Sequence, residues 1–365
     1  VDREVEARSI IVRKDIVEGG VITVLYGSKG CGKSTFFRVL SQSIDLEADR
    51  AIVVVISTPE EEMGRRGAEE SLELYMPRGY TGIITDALKS IVGDITVDAA
   101  GLVSLRAGGL RDASKRVLAS LKSLKADRVL VVADEERAAG NIEGFRNWLE
   151  RMANFVAYIN EDYTELGSEA SLIVLTSDAL AAKIYEVVGN KVSWALMWSL
   201  PRNASEDLIS QIGLQCKVAR ELGISSEEAN EILWRLAGGN PRALGLIWEK
   251  GIKKWLEVEV IDGIRRFARD LPKGQRGKAL EEISASLDKV DDMGWLDPSV
   301  RNIMLKHNII IYIVGADKIS EIAGEPWIGR EYAYQLPAYY YALKIMARKR
   351  SMDISPEEVI KEAKG

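Results

Sequence analysis

The segment Gly27-Ser28-Lys29-Gly30-Cys31-Gly32-Lys33-Ser34 constrains this chain more than any other. It joins an apolar run, residues 21–26, to a stretch with helical spacing, Lys33–Ser43. Glycines let consecutive backbone N–H groups turn towards one point, and the helix N-terminus adds the positive end of its dipole. The result is a cradle for phosphates. The closing lysine reaches the outer phosphates, and the serine after it offers a hydroxyl to magnesium. The pattern G-x-x-x-x-G-K-[ST] is met at every fixed position, in the strand–loop–helix context that gives such a match its weight. Gly27, Ser28, Lys29, Gly30, Cys31, Gly32, Lys33 and Ser34 are therefore expected to hold ATP with Mg2+, with Thr35 supporting the α-phosphate side. At Cys31 the motif is loose, and a small filler residue satisfies it.

Such a site needs a carboxylate for the metal and another for water. The run Arg128–Ala133 is strand-like and ends in Asp134-Glu135. In open α/β sheets ligands gather at the C-terminal ends of the strands. Asp134 is expected to hold Mg2+ through its water shell, alongside Ser34. Glu135 is expected to orient the attacking water, with Glu136 as its rival for that role. A further strand, residues 171–176, leads into Ser177, which either contacts the γ-phosphate or attacking water or caps the next helix.

Five apolar, β-branched runs (21–26, 51–57, 128–133, 171–176 and 194–200) alternate with helical patterns at 33–43, 111–125, 142–161 and 179–188. Continuous Val/Ile/Leu runs read as parallel strands buried on both faces, and the alternation as a doubly wound α/β layer. Residues 60–109 are rich in glycine and read as loops and short helices. After Pro201 the pattern is helical, at 204–222, 226–236 and, beyond the break Gly238-Gly239-Asn240-Pro241, 242–250. Residues 271–277 read as a linker. Two helices, 278–289 and 298–306, then two strands, 309–314 and 332–335, and a helix, 338–347, trace the outline of a winged helix. Three domains are expected, at 1–201, 202–270 and 271–365.

Apolar residues make up 47% of the chain, enough for several cores. No run approaches the ~20 residues of a membrane helix. Two cysteines cannot build a disulfide framework, and a single histidine gives no basis for a His-based metal site or a serine–histidine triad. With a nucleotide loop, this favours a cytoplasmic protein. The start, Val1-Asp2-Arg3-Glu4, carries no leader pattern and no methionine, as in a trimmed chain. The net charge of −6 does not ask for nucleic acid or an anionic membrane.

The order of the phosphate loop, a strand ending in Asp-Glu, a strand ending in a hydroxyl residue and then Gly-Gly-Asn-Pro-Arg resembles the archaeal ATPase family, related to STAND and AAA+ ATPases. The opening Asp2-Arg3-Glu4-Val5-Glu6 is similar to that family's N-terminal box near the adenine. Residues 334–341, Tyr-Gln-Leu-Pro-Ala-Tyr-Tyr-Tyr, are similar to the last strand and helix of its winged-helix domain. The resemblance implies a five-stranded, mostly parallel P-loop NTPase sheet with an extra strand between the two Walker strands, followed by an α-helical lid and a winged helix. It implies that Arg3 and Pro241 lie at the nucleotide and that Arg242 reaches the γ-phosphate; as a plain sequence, Pro241-Arg242 is equally an ordinary helix start. An arginine finger is not evident, since neither Arg137 nor Lys183 fits well, which leaves room for one supplied by a second subunit or a partner.

An ABC-type reading is weaker: Ala107 stands where its signature wants serine, and Glu136 where proline is usual. Three functions stay open: an ATP-driven switch between lid and C-terminal domain that acts on a protein partner, a DNA-associated ATPase, and a nucleotide-binding module without turnover. Residues 257–365 carry nearly equal numbers of cationic and anionic side chains, which weakens the DNA reading. Glu135 weighs against the last.

Overall fold

A computed structural model describes residues 3–11, 20–44, 50–57, 70–77, 81–89, 95–97, 103–107, 110–122, 124, 126–134, 142–177, 192–272, 276–287, 296–314, 317–320, 322 and 324–365. Helix α1 (Glu4–Ile11) precedes strand β1 (Ile22–Tyr26) and helix α2 (Lys33–Ser43). Then come β2 (Ala51–Ser57), β3 (Glu70–Tyr75), α3 (Thr81–Lys89), β4 (Ile95–Val97), β5 (Val103–Ala107), α4 (Leu110–Leu121), β6 (Arg128–Ala133), α5 (Ile142–Glu165), β7 (Glu169–Thr176) and β8 (Val192–Leu196).

These strands form one sheet in the order β8-β1-β7-β6-β2-β3-β5-β4. From β8 to β2 all neighbours are parallel. Every residue of β1, β2 and β6 is buried. Val53, Val55, Leu130, Val132, Ile173 and Leu175 face one core with Phe36, Phe37 and Leu40 of α2. Their neighbours Ile52, Val54, Ile56, Val129, Val131, Leu172 and Val174 face the other, larger core. Burial on both faces is why these runs lack polar alternation. β7 lies between β1 and β6, the strands that lead into the phosphate loop and Asp134.

The expectation of five strands understates the sheet. Beyond β2, three strands run antiparallel: β3 on β2, β5 on β3 and β4 on β5. They fall where loops and short helices were expected; of those, α3 is present. Leu72 and Leu74 on β3 are buried two residues apart on one face.

The helical half begins with α6 (Arg202–Gln211) and α7 (Leu214–Leu222), which the sequence reading had as one helix; Gly213, at φ +66°, breaks it. α8 (Ser226–Ala237) opens with a Ser225–Glu228 capping box. α9 (Pro241–Lys250) and α10 (Ile252–Trp255) follow, then a π-helical turn (Leu256–Ile261) and α11 (Asp262–Asp270). The C-terminal stretch contains α12 (Arg276–Leu287), α13 (Pro298–Lys306), β9 (Ile310–Tyr312), β10 (Asp317–Lys318), β11 (Tyr332–Tyr334), α14 (Pro337–Lys349) and α15 (Pro356–Lys364). β9 and β11 pair antiparallel. Between them β10 crosses to the large sheet and pairs with β8 at Asp317↔Ala195 and Lys318↔Leu196, making nine strands among the described residues. Within the described residues no helix is long and apolar enough to cross a membrane.

Candidate nucleotide site

Three strand ends at the C-terminal edge of the parallel sheet build the site: β1 into Gly27, β6 into Asp134 and β7 into Ser177. A cavity of about 370 Å³ opens there. Its walls come from the loop (Lys29, Gly30, Gly32, Lys33, Ser34, Thr35), from Asp134 and Ser177, and from Pro241 and Arg242 across the cleft. The structure thus brings together most of the residues singled out in the sequence. Glu135, Arg137 and Lys183 lie outside the described residues.

Gly30 has φ +85°, and a Cβ there would meet the Arg242 Cβ at 2.4 Å. Only glycine tolerates both the left-handed backbone and the approach of α9. Lys33 is buried, and its Nζ donates to Gly27 O (3.0 Å) and Ser28 O (3.3 Å). Ser34 Oγ donates to Asp134 Oδ1 at 2.6 Å. Asp134 is fully buried, its backbone N–H held by Ile56 O at 2.8 Å. A hydroxyl and a buried carboxylate are hard oxygen donors and fit Mg2+. No cluster of three or more His, Cys, Asp or Glu occurs among the described residues. A magnesium ion held by Ser34 and Asp134 would commonly take further ligands from water and phosphate.

Cys31 is buried, with its Sγ 3.5 Å from Met197 O and 3.6 Å from Lys33 Nζ, as a small filler would be. Ser28 is also buried, with its hydroxyl 3.4 Å from that of Ser199. Neither side chain lines the cavity. Arg3 does not line it either. Its guanidinium donates to Cys31 O (3.1 Å), Trp198 O (3.0 Å) and Ser320 Oγ (3.1 Å), and it also pairs with Glu6. Arg3 braces the loop from behind.

A family model described as an ATPase domain predominantly from Archaea matches residues 1–247. The chain belongs to that family. No curated protein matches it. Among solved structures it is similar to a chain in the structure of Drosophila ORC bound to DNA, at 13% identity over 85% of this chain and 86% of that one, with a TM-score of 0.33.

The ATPase-family loop is also gripped from outside. Asn240 is the N-cap of α9, accepting from Ala243 N–H at 3.1 Å, and its Nδ2 donates to Lys29 O at 2.9 Å. Gln335, buried after β11, accepts the Lys29 N–H on its Oε1 at 3.0 Å, while its Nε2 donates to Asn308 Oδ1 at 3.2 Å. The Arg242 N–H donates to Gly30 O at 3.3 Å. The family resemblance gave Asn240, with Gly239, Pro241 and Arg242, the role of bringing the lid onto the nucleotide, but sequence reasoning gave Gln335 no role, because 306 residues separate it from Lys29. It also missed Arg38, whose Nη2 lies 3.2 Å from Asp134 Oδ2. A signal existed: Arg38 follows Ser34 by one helical turn and so shares its face.

Proposed function

We propose that the chain is a Mg2+-dependent ATPase in which nucleotide at the loop controls how the helical lid and the C-terminal module sit against it. The observation that carries this reading is the Ser34–Asp134 contact at 2.6 Å, at the edge of a cavity lined by Lys33 and the loop. The three-part division at 1–201, 202–270 and 271–365 belongs to the same reading, with the last part folded as a winged helix.

Lys33 rests on loop carbonyls and would exchange them for β- and γ-phosphate oxygens. Ser34 and Asp134 would hold Mg2+, which would supply charge to offset that of the phosphates. Thr35 supports the inner phosphates. Glu135 is assigned the attacking water, and Ser177 a contact to that water or the γ-phosphate. Arg242 lines the cavity, and among the described residues its side chain makes no ion pair; its charge is assigned to the outermost phosphate. Arg3 sets the loop rather than touching phosphate.

The switch follows from Lys29. Its N–H and C=O, within the phosphate cradle, are the groups held by Gln335 and Asn240. Phosphates that draw loop N–H groups inward compete with that hold. Nucleotide then shifts the module only by as much as it binds one arrangement better than the other. A DNA-reading role gains little: Lys306 pairs with Asp270, Arg348 with Glu362, Lys349 with Glu358 and Arg350 with Glu281.

The test is ATP hydrolysis with and without Mg2+ and duplex DNA, for the wild type, Lys33→Ala and Glu135→Gln. The proposal expects Mg2+-dependent turnover, indifferent to DNA and abolished by both substitutions. Turnover that survives Lys33→Ala removes it, and strong stimulation by DNA replaces the switch with a DNA-associated enzyme.

A further inference from the structure

Arg38 stands beside the metal carboxylate without a part in phosphate chemistry. Ser34 Oγ takes Asp134 Oδ1, and Arg38 Nη2 takes Oδ2 at 3.2 Å. Asp134 is fully buried, whereas the Arg38 side chain is 37% exposed. A carboxylate out of water is costly unless a cation offsets it, and here the cation is supplied by the protein itself. Arg38 is in turn set from outside the parallel core. Its guanidinium lies over the Tyr75 ring, 4.7 Å from the centroid. Tyr75 is on β3, paired with Val55 of β2, and its hydroxyl donates to Glu73 Oε2 at 2.8 Å. Among the described residues the buried Arg38 Nε has no hydrogen-bond partner, and the carboxylate and the ring both hold the group.

We propose that Arg38, positioned by Tyr75, is a built-in counter-charge on Asp134 that sets the Mg2+ concentration the nucleotide site requires. This rests on the nucleotide reading above. A divalent ion reaching Ser34 shares Asp134 with a guanidinium already bound to it, and two cations on one carboxylate repel. Without metal the same guanidinium stabilises the buried carboxylate. Arg38 thus lowers metal affinity and raises the stability of the empty protein. Through Tyr75 the antiparallel extension gains a hold on the metal site without touching nucleotide. Arg38 is a positioning residue, not a catalytic one.

The experiment uses the full chain as wild type, Arg38→Met, Arg38→Lys, Tyr75→Phe and Tyr75→Ala. Two quantities are read: the Mg2+ concentration for half-maximal binding of a non-hydrolysable ATP analogue, and the melting midpoint free of metal and nucleotide. Arg38→Met is expected to lower the Mg2+ requirement about threefold to tenfold and to lower the midpoint of the empty protein. Arg38→Lys keeps the charge and stays near the wild type. Tyr75→Ala shifts the Mg2+ requirement in the direction of Arg38→Met but by less, and Tyr75→Phe, which keeps the ring, does not. A Mg2+ requirement unchanged or raised in Arg38→Met overturns the proposal while leaving the nucleotide reading intact. A wild type with no Mg2+-dependent binding of the analogue overturns both. Should Arg38→Met fail to fold, Tyr75→Ala decides, and a requirement equal to the wild type's overturns the proposal.

Discussion

The two walls of the phosphate loop are built on different principles. The inner wall uses side chains: Lys33 and Ser34 from the first turn of α2, and Asp134 just past the end of β6. The outer wall reaches the loop's backbone: Asn240 and Gln335 hold the carbonyl and the N–H of Lys29, and Arg3 holds the carbonyl of Cys31. The inner wall can carry chemistry because its charges face the cavity. The outer wall fixes loop shape, and it comes from the helical half and the N-terminal segment. In the proposed reading, the difference separates what reacts from what responds.

The sharpest way to break this distinction is Lys33→Ala. If the inner wall alone carries the chemistry, hydrolysis falls by about 100-fold or more while the melting midpoint hardly moves. Gly30→Ala should hurt both walls, since a Cβ would sit 2.4 Å from that of Arg242 on a backbone at φ +85°. A loss of about 2–3 kcal/mol in denaturant unfolding is expected, together with weaker nucleotide binding. Asn240→Ala removes a helix cap and one hold on Lys29, and should cost about 1–2 kcal/mol. Gln335→Ala should cost less, about 1 kcal/mol, and change turnover by less than about tenfold. A loss of turnover as large as that of Lys33→Ala would place Gln335 on the reacting side.

The smallest effect is one of pH. Asp270 is held below its ordinary value by hydrogen bonds from Lys306 and His307. Burial raises the Glu231 and Glu362 carboxyls, but hydrogen bonds from Arg235 and Arg202, and from Arg348 and Lys344, more than offset it. A lowered folded-state value contributes stability that is present above the unfolded value and lost as pH falls through the folded one. All three residues lie in the helical half. Below the ordinary glutamate value of 4.5 that half should loosen before the sheet, seen as lost near-UV signal from Trp234, Trp255 and Trp327. Simultaneous loss of both halves would contradict this.

Continuous apolar strands are legible because burial on both faces leaves no polar residues in them, and β1, β2 and β6 show it. β3 was hidden by its glutamates, although Leu72 and Leu74 keep the period of two. β10 has no signal at all: two charged residues, Asp317 and Lys318, become a strand only because the edge of β8 is there to receive them. In the site, the motif residues were legible because phosphate chemistry fixes their spacing. Gln335 was not, since it meets Lys29 only through the fold, and Arg38 gave only the weak signal of sharing the Ser34 face of α2.

The most direct test is calorimetric titration of ATP into the purified chain, with and without Mg2+, for the wild type, Lys33→Ala and Asp134→Asn. The account predicts saturable binding at one site in the wild type, loss of binding in Lys33→Ala, and loss of the Mg2+ enhancement in Asp134→Asn. Equal binding by all three proteins would contradict it.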